Sequence, residues 1–402
     1  MKIIDKIYSY LFLLFCFILP FEHSAKALPN IILLLLVAAY PFHSLRANIK
    51  TLKKELIAIL LFIAVIVVNN LIFQRWEDFS IIARLFYIPM ILILSSPIKN
   101  IKPCLTAFVT GAFALCSISS VLIIIKIFND SNFVLANGEG VNDLLFGHRP
   151  YLGFMYLMAT FFAFYLAVKS SNKIHQTLYV IAGIGFISFI FLIAARLSAF
   201  SVLVSMILAL IYFARKIKIN SRWLVGMALF IIVLGALFSG NLAKRFYIND
   251  EKINFILAEP RYYIWDCAYN ILSDNPKEII FGKGYQQTQN ELTMCYRQKD
   301  NFLDAEHKQW FINSQFNTHN QFLDLLLSQG IIAFSLSVLM FLYLFLATRK
   351  DFFSLGLTVA FLLFFTVENV LIRQFGCILI ALLLCFVFRQ KKIYTEIEPN
   401  KT

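Results

Sequence analysis

Long apolar stretches recur along almost the whole chain, and they limit its fold more than any other feature of the sequence. A helix needs roughly 17–25 mainly apolar residues to cross the hydrocarbon of a bilayer. The composition agrees with such spans, because 60% of the residues are hydrophobic and 15% are charged, whereas soluble domains have roughly 45–50% and 25%. An ordinary soluble domain is therefore excluded.

About twelve apolar stretches satisfy this length requirement. They lie approximately at 7–20, 28–43, 56–73, 79–95, 104–128, 151–168, 177–194, 197–213, 223–239, 330–346, 352–367 and 372–388. We therefore predict an all-α fold, a polytopic transmembrane helical bundle of about 12 spans. Its predicted parts are a membrane domain at 1–240 with spans 1–9, a long insertion at 241–318, a membrane part at 319–390 with spans 10–12, and a tail at 391–402.

The net charge of +13 is explained by where the basic residues lie. The positive-inside rule assigns Lys-rich and Arg-rich connections to the cytoplasm, so both termini are predicted to be cytoplasmic and the insertion to lie on the other side. The lipid bilayer is the expected partner, and no nucleic acid is expected, because topology accounts for the charge. The basic connections lie near 46–54, 99–102, 169–173, 215–222, 349–350 and 389–392.

The amino-terminal 27 residues have a second interpretation. Lys2 and Lys6 precede an apolar stretch, and Ala25-Lys26-Ala27 follows it, a pattern that also fits a cleavable signal peptide. A first span is favoured, because a polytopic protein needs no separate signal and Lys26 is unusual beside a cleavage site.

The insertion at 241–318 is polar and aromatic, and we predict that it contains short amphipathic helices. Pro260 suits the first turn of a helix, and Tyr262 and Trp265 follow it at helical spacing. This helix is predicted to lie at the membrane interface and to end at Asn275-Pro276.

A glycine turn and a second helix are predicted beyond this point. Gly282-Lys283-Gly284 indicates a tight turn and is too short for a nucleotide-binding loop. Thr318 is predicted to cap a helix that runs through His319 into the span after Gly330.

No metal and no other cofactor is expected. The six histidines lack H-x-x-x-H spacing, and the seven cysteines lack a C-x-x-C motif. Cys267 and Cys295 share the insertion, where an oxidising compartment would allow a disulfide bond, although the sequence fixes no distance between them.

Several charged residues are predicted to lie at one level, the non-cytoplasmic rim of the bundle. Charges at membrane depth are costly, so each is a candidate functional residue. A cluster of guanidinium groups suits a di-anion, because the group is planar, always charged and bidentate to phosphate oxygens. The candidates at the rim are Arg149, Arg196, Arg261, Arg373, His148, His319 and Glu368, and a further candidate, Arg84, lies in the middle of the fourth predicted span.

These candidates also have structural interpretations. Arg149 or Arg373 can anchor the end of a span, and Arg84 can pair with a nearby carboxylate. For Arg196 a functional role is favoured over a structural one, because apolar residues flank it on both sides. His319 lies where a span begins, and an imidazole there can act as a base near neutral pH.

Several motifs resemble the O-antigen ligase family of bacterial membrane proteins. The stretch from Asn317 to Ile331 is similar to its His-Asn helix and following span, and the stretch from Pro260 to Tyr285 is similar to its Arg helix and glycine turn. The segment from Phe146 to Arg149 resembles its His-Arg segment. Arg196 falls where the family has an Arg, although Ala194-Ala195 replace the usual polar neighbours.

The resemblance implies a glycosyltransferase that needs no metal or nucleotide and works at the periplasmic face of the bacterial inner membrane. The donor would be a glycan on undecaprenyl diphosphate, and the acceptor a sugar hydroxyl of the lipid A core, with inversion at the anomeric carbon. His319 is predicted as the catalytic base, and Arg196 and Arg261 are predicted to act on the diphosphate. Substrate-binding roles are predicted for Arg149, His148, Arg84, Asn320, Tyr262, Trp265, Arg373 and Glu368.

Two alternatives are compatible with the sequence. A polymerase of the same superfamily would join repeat units on the lipid carrier, although the single long outer loop favours a ligase. A transporter or flippase of a lipid-linked or anionic solute would need charged or broken spans near the midplane, and Arg84 is the one sequence feature in its favour.

Overall fold

A computed structural model of the chain describes residues 2–42, 53–130, 141–216, 247–248, 251–252, 259–274, 276–302 and 304–397. The described part is helical, as the apolar pattern predicts, apart from one short antiparallel strand pair. In that pair, β1 (Tyr247–Ile248) and β2 (Glu251–Lys252) lie side by side, with Tyr247 opposite Lys252.

The helices fall on either side of the insertion. Ten precede it within the described residues: α1 (Lys2–Ile18), α2 (Ala27–Ala39), α3 (Lys53–Ile72), α4 (Phe79–Leu85), α5 (Tyr87–Ser95), α6 (Lys102–Asn129), α7 (Val141–Leu144), α8 (Arg149–Lys169), α9 (Lys173–Leu192) and α10 (Arg196–Lys216). The insertion and the segments after it form α11 (Pro260–Asp274), α12 (Tyr285–Gln298), α13 (Ala305–Ser314), α14 (Gln321–Thr348), α15 (Phe352–Phe365) and α16 (Gln374–Ile397).

Seven helical segments of the described chain are long and apolar enough to cross a membrane, by length and composition. Four shorter apolar helices coincide with further predicted stretches, whereas the predicted stretch 223–239 lies outside the described residues. The count of twelve spans therefore stays a prediction. The seven segments are Ile3–Phe21, Lys54–Ile72, Trp76–Ser95, Lys102–Asn129, Val141–Lys169, Lys173–Leu192 and Gln321–Thr348, and the shorter helices are Ala27–Phe42, Arg196–Ala209, Phe352–Phe365 and Gln374–Gln390.

Helix α8 lies inside the bundle, where it packs against α6, α9, α10, α15 and α16. Nearly all of its side chains are buried, which suits a helix that is apolar on every face. Its Phe154 stacks on Phe364 of α15, with ring centroids 4.4 Å apart. This packing fixes the end of α8 that carries Arg149 beside the end of α15.

The insertion has a small hydrophobic core of its own. Tyr263, Tyr296 and Phe311, from α11, α12 and α13, are completely buried against one another. Cys267 and Cys295 form a disulfide bond that joins α11 to α12, so the bond that the sequence allows is present. A closed loop of this kind disfavours the unfolded chain, and it ties the middle of α11 to α12.

Helix α14 starts later than the sequence predicts. Asn320, not Thr318, is its cap, because the Asn320 Oδ1 accepts hydrogen bonds from the N–H groups of Phe322 and Leu323, both at 3.0 Å. His319 has a φ of 44°, a left-handed conformation that a helix running through His319 cannot contain. The predicted cap at Thr318 is therefore wrong, and His319 sits in a turn before the helix.

A break divides α14 at Gly330, which has a φ of 81° and a ψ of −177°. The glycine turn of the insertion occupies the break, since the N–H groups of Lys283 and Gly284 donate to the carbonyls of Leu327 and Ser328, both at 2.8 Å. A Cβ atom on Gly330 would lie 2.2 Å from the carbonyl oxygen of Ile280. The break thus requires glycine at position 330, because the φ is positive and because the Ile280 carbonyl leaves no room for a side chain.

Residues between α3 and α4 tie this turn to the bundle. The Arg75 Nη2 donates to the carbonyl of Gly282 at 2.5 Å. The carboxylate of Asp78 accepts from the N–H groups of Tyr285 and Gln286, at 2.7 and 2.9 Å. Gly284, directly before α12, has no side chain to cap the helix, so Asp78 supplies the cap from a distant part of the chain.

We expect Gly330→Ala to lower the free energy of unfolding by roughly 2 kcal/mol or more, because alanine is strained at this φ and meets the Ile280 carbonyl. The measurement is the thermal unfolding midpoint in detergent. Gly185→Ala in α9 is the control, since a Cβ there meets nothing within 4 Å, and its midpoint should not fall. Equal midpoints for the wild type and Gly330→Ala would contradict the prediction.

Candidate functional site

Arg196 is the first residue of α10, directly after a tight turn from α9. Ala194 adopts a left-handed φ of 51° that ends α9, and the chain reverses before Arg196, as the sequence predicts. Gly153 of α8 allows this turn to approach closely, because a Cβ there would lie 2.6 Å from the side chains of Ala195 and Ser198. The position of the first turn of α10 is therefore set by packing against α8.

Glu259 brings two arginines together. Its Oε2 lies 3.1 Å from Nη1 of Arg196, and its Oε1 lies 2.7 Å from Nη1 of Arg261. Pro260 starts α11, as predicted, and its fixed φ suits the first helical position. Residues from distant parts of the chain thus form one ion-pair cluster in which a single anion contacts both guanidinium groups.

The guanidinium of Arg261 is held on its other edge by the connection between α15 and α16. Its Nε and Nη2 donate to the carbonyl of Val367 at 3.4 and 3.3 Å. Its Nη2 also lies 3.5 Å from Oε1 of Glu368, a carboxylate that is only 6% exposed. These contacts fix the orientation of the guanidinium plane. An anion has to align its oxygens with this plane to accept two hydrogen bonds from the group.

His319 joins the same cluster through Glu368. The imidazole Nδ1 lies 3.4 Å from Oε1 of Glu368, within ion-pair distance. The two groups lie close together without a hydrogen bond, because Nδ1 forms none with any described residue. The His319 N–H donates to Oδ1 of Asn317 at 3.1 Å, which holds the left-handed turn.

Asn369 supports the His319 turn from the side opposite to Asn317. Its Oδ1 accepts from the Thr318 hydroxyl at 3.0 Å and from the Asn320 N–H at 2.8 Å. The hydroxyl of Tyr151 donates to the Asn369 carbonyl at 2.8 Å, and the indole N–H of Trp265 donates to the Thr318 carbonyl at 3.0 Å. The predicted residues Asn320 and Trp265 therefore position the backbone around His319.

A cavity of about 590 Å³ opens beside this cluster, and we call it the arginine cavity. It lies between the starts of α8, α10 and α11 and the end of α15. The predicted residue Tyr262 lies next to Arg261 on α11 and is exposed. The charged and titratable groups that line the cavity are His148, Arg149, Arg196, Glu259, Arg261 and Glu368.

The other predicted arginines lie in a neighbouring cavity of about 420 Å³, which we call the second cavity. Arg84 lines it and donates to the carbonyl of Ile372. Arg373 lines it as well, with its guanidinium carbon 5.4 Å from the centroid of the Tyr151 ring. His148 borders both cavities. The predicted single cluster is thus divided into two sites.

The family model described as O-antigen ligase matches residues 181–338. The match supports membership of the O-antigen ligase family, so the resemblance predicted from the motifs is confirmed. The matched segment contains Arg196, Arg261 and His319, the three predicted catalytic residues. No curated protein compared with this chain matches it significantly.

The O-antigen ligase motifs do not predict two residues of this cluster, Glu259 and Asn369. Glu259 is not among the residues that the sequence motifs identify, although it lies only two positions before Arg261, close enough for a local ion pair. Asn369 follows Glu368 after a long apolar stretch, and such a polar pair indicates a buried hydrogen-bonding site. Both residues touch groups that the sequence did identify.

Proposed function

We propose that this protein is an O-antigen ligase that moves a glycan from undecaprenyl diphosphate to a sugar hydroxyl of the lipid A core. The family match supports the wider class of ligases and polymerases that act on lipid-linked glycans. The observation that carries the proposal is the joining of Arg196 and Arg261 by one carboxylate, next to the contact between His319 and Glu368. We place this site on the periplasmic side of the inner membrane, with the insertion 241–318 as the catalytic loop and 391–402 in the cytoplasm.

The arginine pair is the proposed donor site. Glu259 already contacts Arg196 and Arg261 with its two oxygens, so the two guanidinium groups are close enough to share one anion. A diphosphate has more oxygens and more charge than a carboxylate and can take its place. Negative charge grows on the diphosphate as the glycan leaves, and preorganised cations stabilise that charge during the reaction.

His319 is the proposed base for the acceptor. It accepts the proton of the acceptor hydroxyl through Nε2 while the hydroxyl oxygen bonds to the anomeric carbon. The bond between that carbon and the diphosphate oxygen breaks with its electron pair on the diphosphate, so the anomeric carbon inverts. Glu368 faces Nδ1, and a carboxylate in this position orients an imidazole and stabilises its protonated form.

A transfer assay with the reconstituted full-length chain tests this function. We expect proteoliposomes that contain the protein, a lipid-linked glycan donor and rough lipopolysaccharide to yield lipopolysaccharide capped with the glycan, with equal yield when EDTA is added and nucleotides are omitted. A ladder of longer glycans on the lipid carrier would assign the polymerase reaction instead. Movement of the donor across the membrane without a new glycosidic bond would reject both reactions in favour of transport.

A further inference from the structure

The second cavity collects cations from three separate parts of the chain. Lys26 comes from the connection between α1 and α2, Arg84 from α4, and Arg373 from the connection before α16. Arg84 lies within a segment that is apolar enough to cross a membrane. A charge at that depth is costly and is normally kept for a functional reason.

Charge compensation distinguishes the two cavities. In the arginine cavity, Glu259 and Glu368 form ion pairs with the guanidinium groups of Arg196 and Arg261. In the second cavity, none of the three cations forms an ion pair with another described residue. The second cavity therefore holds positive charge that its own side chains leave unbalanced.

The titratable groups nearest to these cations do not cancel that charge. Glu22 is the carboxylate that lines the second cavity, and burial raises the pKa of this carboxyl, although Lys26 and Arg373 act in the opposite direction. Burial also lowers the pKa of the His23 imidazole, whose ring centroid lies 5.5 Å from that of His148. One carboxylate can balance at most one of the three cations, so the second cavity keeps a net positive charge.

We propose that the second cavity binds a phosphate ester on the lipid anchor of the acceptor. This inference rests on the proposed function, because a transfer between two lipid-linked glycans needs a second lipid site beside the donor site. Arg84 and Arg373 supply planar donors suited to phosphate oxygens, and Lys26 adds a point charge. The two cavities share His148 but no cation, since different basic residues line each of them, so both substrates can be bound at once without sharing the same cations.

Both versions of the reaction supply such a group. A ligase acceptor is a glycolipid that carries phosphate monoesters, and a polymerase acceptor is a second glycan on a lipid diphosphate. The shared chemistry is a phosphate ester at the lipid end of a glycan.

The test is a binding measurement on the full-length chain in phosphatidylcholine nanodiscs, with no donor present. The probes are a phosphorylated core glycolipid and the same glycolipid after enzymatic dephosphorylation. We expect dephosphorylation to weaken binding to the wild type by about tenfold or more. In Arg373→Gln, this difference in affinity between the two glycolipids should shrink to about twofold or less. The same result is expected for Lys26→Gln, which replaces an exposed lysine. Arg297 is an exposed cation on α12 outside both cavities, so Arg297→Gln should keep the full difference in affinity.

Several results would overturn the proposal. The two glycolipids could bind the wild type equally, or the difference could disappear in Arg261→Gln and not in Arg373→Gln. Loss of the difference when phosphatidylglycerol replaces phosphatidylcholine would assign the cavity to bulk anionic lipid.

Other results would support the proposal. Competition with the phosphorylated glycolipid by millimolar inorganic phosphate, or by a glycan on lipid diphosphate, is one of them. Phosphate-dependent binding through Arg373 without any transfer activity would keep this site and reject only the proposed reaction.

Discussion

Arg261→Gln is expected to lower the rate of glycosyl transfer by about 10²–10³ with saturating donor, as the loss of a group that stabilises transition-state charge does in other enzymes. The guanidinium of Arg261 is held by Glu259, Glu368 and the Val367 carbonyl. Glutamine keeps the length for one hydrogen bond but loses the charge and the bidentate geometry. Single-turnover transfer from a lipid-linked donor is the measurement.

Two comparisons make this result specific. Arg261→Lys keeps the charge and should retain more activity than Arg261→Gln, but less than the wild type, because a lysine cannot contact two oxygens in one plane. Arg297→Gln removes an exposed arginine from the same insertion and should transfer at the wild-type rate. Wild-type rates in Arg261→Gln, with folding confirmed by an unchanged unfolding midpoint, would remove Arg261 from the mechanism.

His319→Ala is expected to lower the transfer rate by about 10²–10⁴, the usual range for loss of general base catalysis. Added imidazole should restore part of the rate, because alanine leaves room for a free base next to Glu368. Rescue of this kind separates a chemical role from a structural one. His175→Ala, at an exposed position near the start of α9, is the matched control and should show neither loss nor rescue.

Glu368 is a positioning residue in this mechanism, and its variant should show a different pattern. Glu368→Gln should lower kcat more than it changes the KM for the donor, since Glu368 holds His319 as well as Arg261 and touches no substrate atom in this mechanism. Glu368→Asp should retain more activity than Glu368→Gln, because it keeps a carboxylate. An increase in KM with an unchanged kcat would place Glu368 in substrate binding instead.

Local signals in the sequence predicted much of the helical framework and part of the site. Pro260 correctly predicted the start of α11, because proline fixes its own φ. The glycine turn was also predicted correctly, since Gly282 and Gly284 have the positive φ values that glycine permits. The turn before Arg196 was evident from a charge between two apolar stretches.

Features that depend on long-range packing could not be predicted in this way. Thr318 and Asn320 are both good capping residues, and only the left-handed conformation of His319 decides between them. The capping of α12 by Asp78 joins residues about two hundred positions apart, and no local pattern reports such a contact. The division of the arginines into two cavities likewise arises from the packing of α8 and from the position of His148.

In the proposed mechanism, the bridge formed by Glu259 makes donor binding an exchange of one anion for another. A diphosphate that contacts Arg196 and Arg261 has to displace a carboxylate that already pairs with both. The donor affinity is then the difference between two sets of ion pairs, and it is weaker than the contacts to the diphosphate alone would give. After transfer, the same carboxylate can reclaim the arginines as undecaprenyl diphosphate departs, which favours product release, a step that limits turnover in many enzymes.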